Sequence, residues 1–152
     1  MSILIYAEYA EGKFKKVAFE LASYAKKVAE SLGTTVTAVT VNAGDVSELS
    51  KYGVDKVLKV NNDELSGFTA KAYADVIKQA AQKENIKLLL LSSTTDSVYL
   101  SSLVAVALEA GYASNVVGLP VSTSPFQVKR TAFSNKAFMI TEINTAVKVL
   151  GL

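Results

Sequence analysis

The sequence predicts an α/β domain, a three-layer, doubly wound, mostly parallel sheet that carries a C-terminal β-hairpin. Three observations lead there. Short apolar runs alternate with amphipathic segments of helical period, an order that requires crossover connections and hence parallel strands. Several of those runs are apolar without interruption, as strands covered on both faces are. After Pro120 the pattern changes to two segments of period 2 joined by a short polar turn, which reads as a hairpin. Right-handed crossovers then place helices on both sides of the sheet.

The elements follow in order. Ile3–Ala7 is a short apolar run and reads as a buried strand. Phe14–Leu32 places Phe14, Val17, Ala18, Leu21, Ala25, Val28 and Leu32 on one stripe, with charges between them, so an amphipathic helix is expected, stopped by Gly33. Thr35–Val41 is nearly all β-branched and reads as a second strand. A short helix over Val46–Tyr52, ended by Gly53, leads to a third strand at Lys56–Val60. A helix from about Leu65 to Lys83 uses Tyr73, Val76, Ile77 and Ala80 as its stripe, and Ile86–Leu91 is the most hydrophobic strand. Ser97–Ala110 reads as a helix apolar nearly all round, ended by Gly111, and Asn115–Gly118 as the start of a fifth strand. Pro120–Pro125 is a loop; Gln127–Phe133 and Lys136–Ile143 form the hairpin around Ser134-Asn135, and Val147–Leu150 is expected as an edge strand. The chain is thus read as one domain over residues 1–152, with an alternating core over 1–119 and a loop, hairpin and edge strand over 120–152.

A chain of 152 residues is long enough for a proper core, and 50% hydrophobic with 20% charged residues argues against disorder. The net charge of +2 and the scattered lysines give no nucleic-acid footprint. Cysteine and histidine are both absent. That excludes disulfides, thiolate nucleophiles, Ser-His-Asp arrangements and most zinc sites. The sequence opens directly on a strand-like run with no basic leader, so a cytoplasmic product is expected.

Phosphate binding at the first strand-to-helix turn needs glycines that let backbone amides approach. That turn is Glu8-Tyr9-Ala10-Glu11-Gly12-Lys13, with one glycine and two carboxylates, and the spaced glycine fingerprints occur nowhere in the chain. Glu8 and Glu11 are expected in an exposed loop with nothing to separate their pKa values. Ser92-Ser-Thr-Thr-Asp-Ser97 is the richest polar constellation. It follows a central strand, where open sheets take ligands, so Thr94, Thr95 and Asp96 are weak cofactor or anion candidates. The competing reading is a helix cap supplied by Thr95, Asp96 or Ser97. No catalytic or metal-ligating set emerges. The all-round apolar helix must be covered on its outer side, either by the Pro120–Ile143 segment or by another subunit. Arg130 is the only arginine, set against fifteen lysines; its planar fork suits a fixed inter-subunit or inter-domain contact better than a lysine would.

Five stretches carry a resemblance. Ile3-Leu-Ile-Tyr-Ala-Glu8 resembles an "LVxAE" opening, Tyr52-Gly-Val-Asp-Lys-Val-Leu58 a "GVDKVL" entry into the third strand, and Tyr112-Ala-Ser-Asn-Val-Val-Gly-Leu119 an "xxSDVVxL" strand. Ser92–Ser97 matches an "AxTxxG" region in position, and the Arg130 hairpin with Ala146-Val-Lys-Val-Leu150 completes the order. Together they are similar to the N-terminal domain of electron transfer flavoprotein alpha subunits. Two departures stand out. Ser97 and Leu100-Ser101-Ser102 replace that family's Gly and Pro-Arg, and Ser134-Asn135-Lys136 replaces an Ala-Gly-Asn turn, so this chain lacks the fork donor at the helix and the glycine at the turn.

The resemblance implies an adenine nucleotide alpha hydrolase-like fold and an electron carrier subunit without catalytic residues of its own. It implies pairing with a beta subunit through Arg130 and Asn135, and indirect dealings with dehydrogenases and a quinone reductase. It also implies FAD held mainly in a second domain outside this chain, none tightly bound here. The other readings are a free-standing, homodimeric nucleotide-binding or stress-type protein of the same broad fold, and a hydrolase using Thr94, Thr95 and Asp96, which would lack a base.

Overall fold

The computed structural model describes residues 2–152. In chain order the strands and helices are β1 (Ser2–Tyr6), β2 (Tyr9–Ala10), β3 (Lys13–Phe14), α1 (Lys16–Leu32), β4 (Thr35–Val41), β5 (Lys56–Val60), α2 (Ala70–Lys83), β6 (Leu88–Leu91) and α3 (Thr95–Ala107). They continue with β7 (Gly111–Ala113), β8 (Ser122–Thr123), β9 (Phe126–Ala132), β10 (Ala137–Glu142) and β11 (Lys148–Gly151). 3₁₀ helices occupy Ser47–Tyr52 and Asp63–Leu65.

Six strands form a parallel sheet in the order β5-β4-β1-β6-β11-β7. Period-2 alternation divides its side chains between two layers. Ile3, Ile5, Leu88 and Leu90 face a cluster with α1, while Leu4, Tyr6, Leu89 and Leu91 face one with α2 and α3. In α1 the buried residues Ala18, Leu21, Ala22, Ala25, Val28 and Ala29 make one stripe, and Gly33 ends the helix in the left-handed region (φ 62°), its N–H donating to the Ala29 carbonyl. A second, antiparallel sheet of order β10-β9-β8 lies on the α1 side, where Phe126 and Val128 join that cluster.

Four expectations are corrected. Val147–Leu150 is not an edge: β11 lies between β6 and β7, with Val149 in one core cluster and Leu150 in the other. A strand apolar on both faces belongs inside a sheet. The fifth strand is Gly111–Ala113, not Asn115–Gly118. Positive φ at Asn115 (54°) and Gly118 (75°) breaks that stretch, which instead bridges β9 through Val116 and Arg130. The long second helix begins only at Ala70. The loop Glu8–Lys13 contains the β2–β3 ribbon, in which Tyr9 packs edge-on to Phe14 at 5.0 Å.

The Pro120–Ile143 segment does not bury α3. Phe126, Val128 and Ile143 belong to the cluster on the α1 face, and α3 lies on the other. Val98, Tyr99, Leu103 and Val106 stay exposed along its outer side, Val106 at 80%.

Candidate functional site

The chain runs from β1 through α1 to β4 and β5 on one side, then returns to place β6 on the other side of β1. The order of strands therefore reverses between β1 and β6, and open α/β sheets take ligands in the crevice outside the carboxyl ends of the strands at such a point. Glu8 lies two residues beyond β1, and Ser92 follows β6 directly. Thr94 caps α3, its Oγ1 accepting from the Ser97 N–H at 3.4 Å, and Ser97 is in the first turn.

These residues meet. Glu8 Oε1 accepts from the hydroxyls of Ser92, Thr94 (2.7 Å) and Ser97 (2.7 Å). Glu8 Oε2 accepts from Lys15 Nζ at 2.7 Å, while the Lys15 N–H donates to the Glu8 carbonyl at 2.9 Å. Glu8 is only 4% exposed, and Ser92 and Ser97 are buried. Burial works to raise the Glu8 pKa, but hydrogen bonds from Lys15, Ser92, Thr94 and Ser97 outweigh it and hold the carboxyl below the usual carboxylate range. The same bond to Glu8 raises the Lys15 pKa against its partial burial. The site is a carboxylate that carries its charge in a buried, fully donated setting.

The expectation that Glu8 shares an exposed loop with Glu11 is thus corrected: Glu11 is exposed, Glu8 is not. The cap is Thr94 rather than Thr95, Asp96 or Ser97. Of the three weak candidates only Thr94 joins Glu8; Thr95 is exposed and Asp96 half-buried in the first turn. Sequence reasoning missed Glu8 as the centre. The available signal was a carboxylate just past one apolar strand and a hydroxyl run just past another.

Arg130 lies on β9 opposite Met139, and Asn135 sits at the hairpin tip. Arg130 Nη2 donates to Ser114 Oγ at 3.0 Å, tying the hairpin to the segment after β7, while its buried Nε has no partner. Phe133, Ser134 and Asn135 are all left-handed (φ 50°, 54° and 64°), so the tip lacks the glycine such backbone favours. Phe138, Met139 and Ile140 are exposed on consecutive positions of the edge strand β10, hence on both of its faces. Lys129 Nζ lies 4.0 Å from the Phe138 ring centre, a cation–π contact across the strands. No helix among the described residues is long and apolar enough to cross a membrane.

The fold and its reversal point define a doubly wound α/β protein with a buried, hydrogen-bonded carboxylate at the reversal point and an apolar outer hairpin. The electron transfer flavoprotein domain matches residues 3–152, and the chain belongs to that family. It is 32% identical over 123 residues to an electron transfer flavoprotein subunit alpha of Thermoanaerobacterium thermosaccharolyticum, covering 78% of this chain and 37% of that one. It is 30% identical over 121 residues to protein FixB of Clostridium saccharobutylicum, covering 78% and 36%. The subunit LctC of a lactate dehydrogenase (NAD(+),ferredoxin) of Acetobacterium woodii is 28% identical over 148 residues, covering 94% and 35%. The alpha-subunit matches are consistent with an N-terminal alpha-subunit domain. The chain spans little more than a third of the length of these relatives.

Proposed function

We propose that this chain is the assembly domain of an electron transfer flavoprotein alpha subunit. It joins a beta subunit in a cytoplasmic, FAD-containing carrier that passes electrons from dehydrogenases to an acceptor. The observation that carries this is the family match along residues 3–152 together with relatives named as alpha subunits. The surface supports it: exposed Phe138, Met139 and Ile140 on a strand with one free edge, and the outer side of α3, are apolar faces of the kind that mark protein contacts. Arg130 and Asn135, on the same hairpin, are the proposed contact residues.

The domain is proposed to act without chemistry of its own. The residues at the reversal point do not fit a flavin pyrophosphate, because a buried carboxylate already uses the three hydroxyls and Lys15. That misfit supports the proposal that FAD in the complete carrier is bound mainly outside this domain.

Co-expression with the beta subunit of such a carrier tests the reading. The expected result is a stable complex of the two chains on size exclusion. A homodimer that ignores the beta subunit would overturn it.

A further inference from the structure

We propose that Glu8 is a built-in ligand: its carboxylate fills a preformed anion cup at the β1–β6 reversal point and so denies that cup to external phosphates. Three features make this a cup rather than an ordinary ion pair. The hydroxyls of Ser92, Thr94 and Ser97 converge on one oxygen, Oε1, while the single cation, Lys15, takes the other. A surface ion pair needs no such convergence; a site for an oxyanion does. The donors come from the end of β6 and the first turn of α3, where the helix end itself favours negative charge. The occupant comes from a different element, two residues past β1 and 84 or more positions away in sequence from its hydroxyl donors. The parts of an anion site and the anion are therefore separable by one substitution.

The local charges also oppose an added anion. Glu8 is bonded to Lys15 and Asp96 acts on the same ammonium, so a second anion would enter against two carboxylates. Removing the Glu8 side chain leaves three hydroxyl donors and Lys15 around a space the size of a carboxylate. The chemical class that fits is a small oxyanion, formate or acetate first. The filled cup is a property of this chain's own residues and does not depend on the subunit it assembles with.

The test is chemical rescue followed by thermal unfolding. Glu8→Ala is expected to melt lower than wild type and to regain stability with sodium acetate or formate, but not with sodium chloride of equal ionic strength. At roughly ten times Kd the regain is about 4 °C. Glu8→Gln, whose amide still fills the cup, gains nothing from acetate, and Lys15→Met added to Glu8→Ala abolishes the rescue. Inorganic phosphate leaves the wild-type melting temperature unchanged. If Glu8→Ala does not fold in chloride, its refolding in acetate supports the proposal, and failure to refold in both overturns it. A folded Glu8→Ala indifferent to acetate and formate also overturns it, as does a wild-type protein stabilised by phosphate through Thr94.

Discussion

The crevice at the ends of β1 and β6 and the outer face of the β9–β10 hairpin differ in every physical respect. In the crevice a charged side chain is buried and each carboxylate oxygen has donors supplied by the chain itself. On the hairpin, large apolar side chains lie in solvent, Phe133 in the turn at 77% and Phe138 on the edge strand at 64% exposed, and the buried Nε of Arg130 lacks a partner. A polar cluster whose hydroxyls already donate to their own carboxylate has little left to offer an external anion; an apolar strand with a free edge has area to bury. On the proposed reading, the hairpin is the face that meets a partner and the Glu8 cluster is an internal tie.

Breaking the tie is expected to have the largest effect. Glu8→Ala leaves three hydroxyls and Lys15 without their acceptor, and about 3 kcal/mol of stability is expected to go, read by urea unfolding. The pH dependence sharpens the same point. The folded-state pKa of Glu8 is depressed, so its contribution is fully present above the unfolded value and is lost as pH falls through the folded one. Wild type is expected to lose stability over that acid window more steeply than Glu8→Gln. Parallel curves for the two would remove Glu8 from the account.

On the hairpin the order reverses, with association changing and stability not. Ile140→Lys places a charge on the exposed edge and is expected to weaken beta-subunit binding at least tenfold, about 1.4 kcal/mol, while moving the melting temperature little. Arg130→Ala is expected to lower association several-fold, and more than it lowers stability, although its bond to Ser114 gives it some structural share. A pulldown unchanged by Arg130→Ala would leave that residue a purely internal tie. The smallest effect is at the tip. Ser134→Gly relieves a left-handed serine and is expected to add roughly 0.5 kcal/mol, the strain relief being partly offset by unfolded-chain entropy.

Much of the fold was legible because it rests on local periodicity. The stripe of α1 and the two-faced run of β6 follow from residues three or four, and two, apart. What escaped depends on pairing between distant segments. The run Val147–Leu150 looked like an afterthought, yet the strand there fills the gap between β6 and β7 because both its faces are apolar. Glu8 looked like a solvated loop acid, yet strand order sets it against hydroxyls more than eighty residues away. Thr94 was legible as part of a polar loop, but its partner was not. Arg130 stood out by composition; its bond to Ser114 needed the fold.

The most direct measurement is the affinity of this chain for the beta subunit of an electron transfer flavoprotein, by isothermal titration, for wild type, Ile140→Lys and Glu8→Gln. The account predicts a one-to-one complex that Ile140→Lys weakens at least tenfold and Glu8→Gln leaves nearly intact. No binding by the folded wild type, or a complex weakened by Glu8→Gln and indifferent to Ile140→Lys, would contradict it.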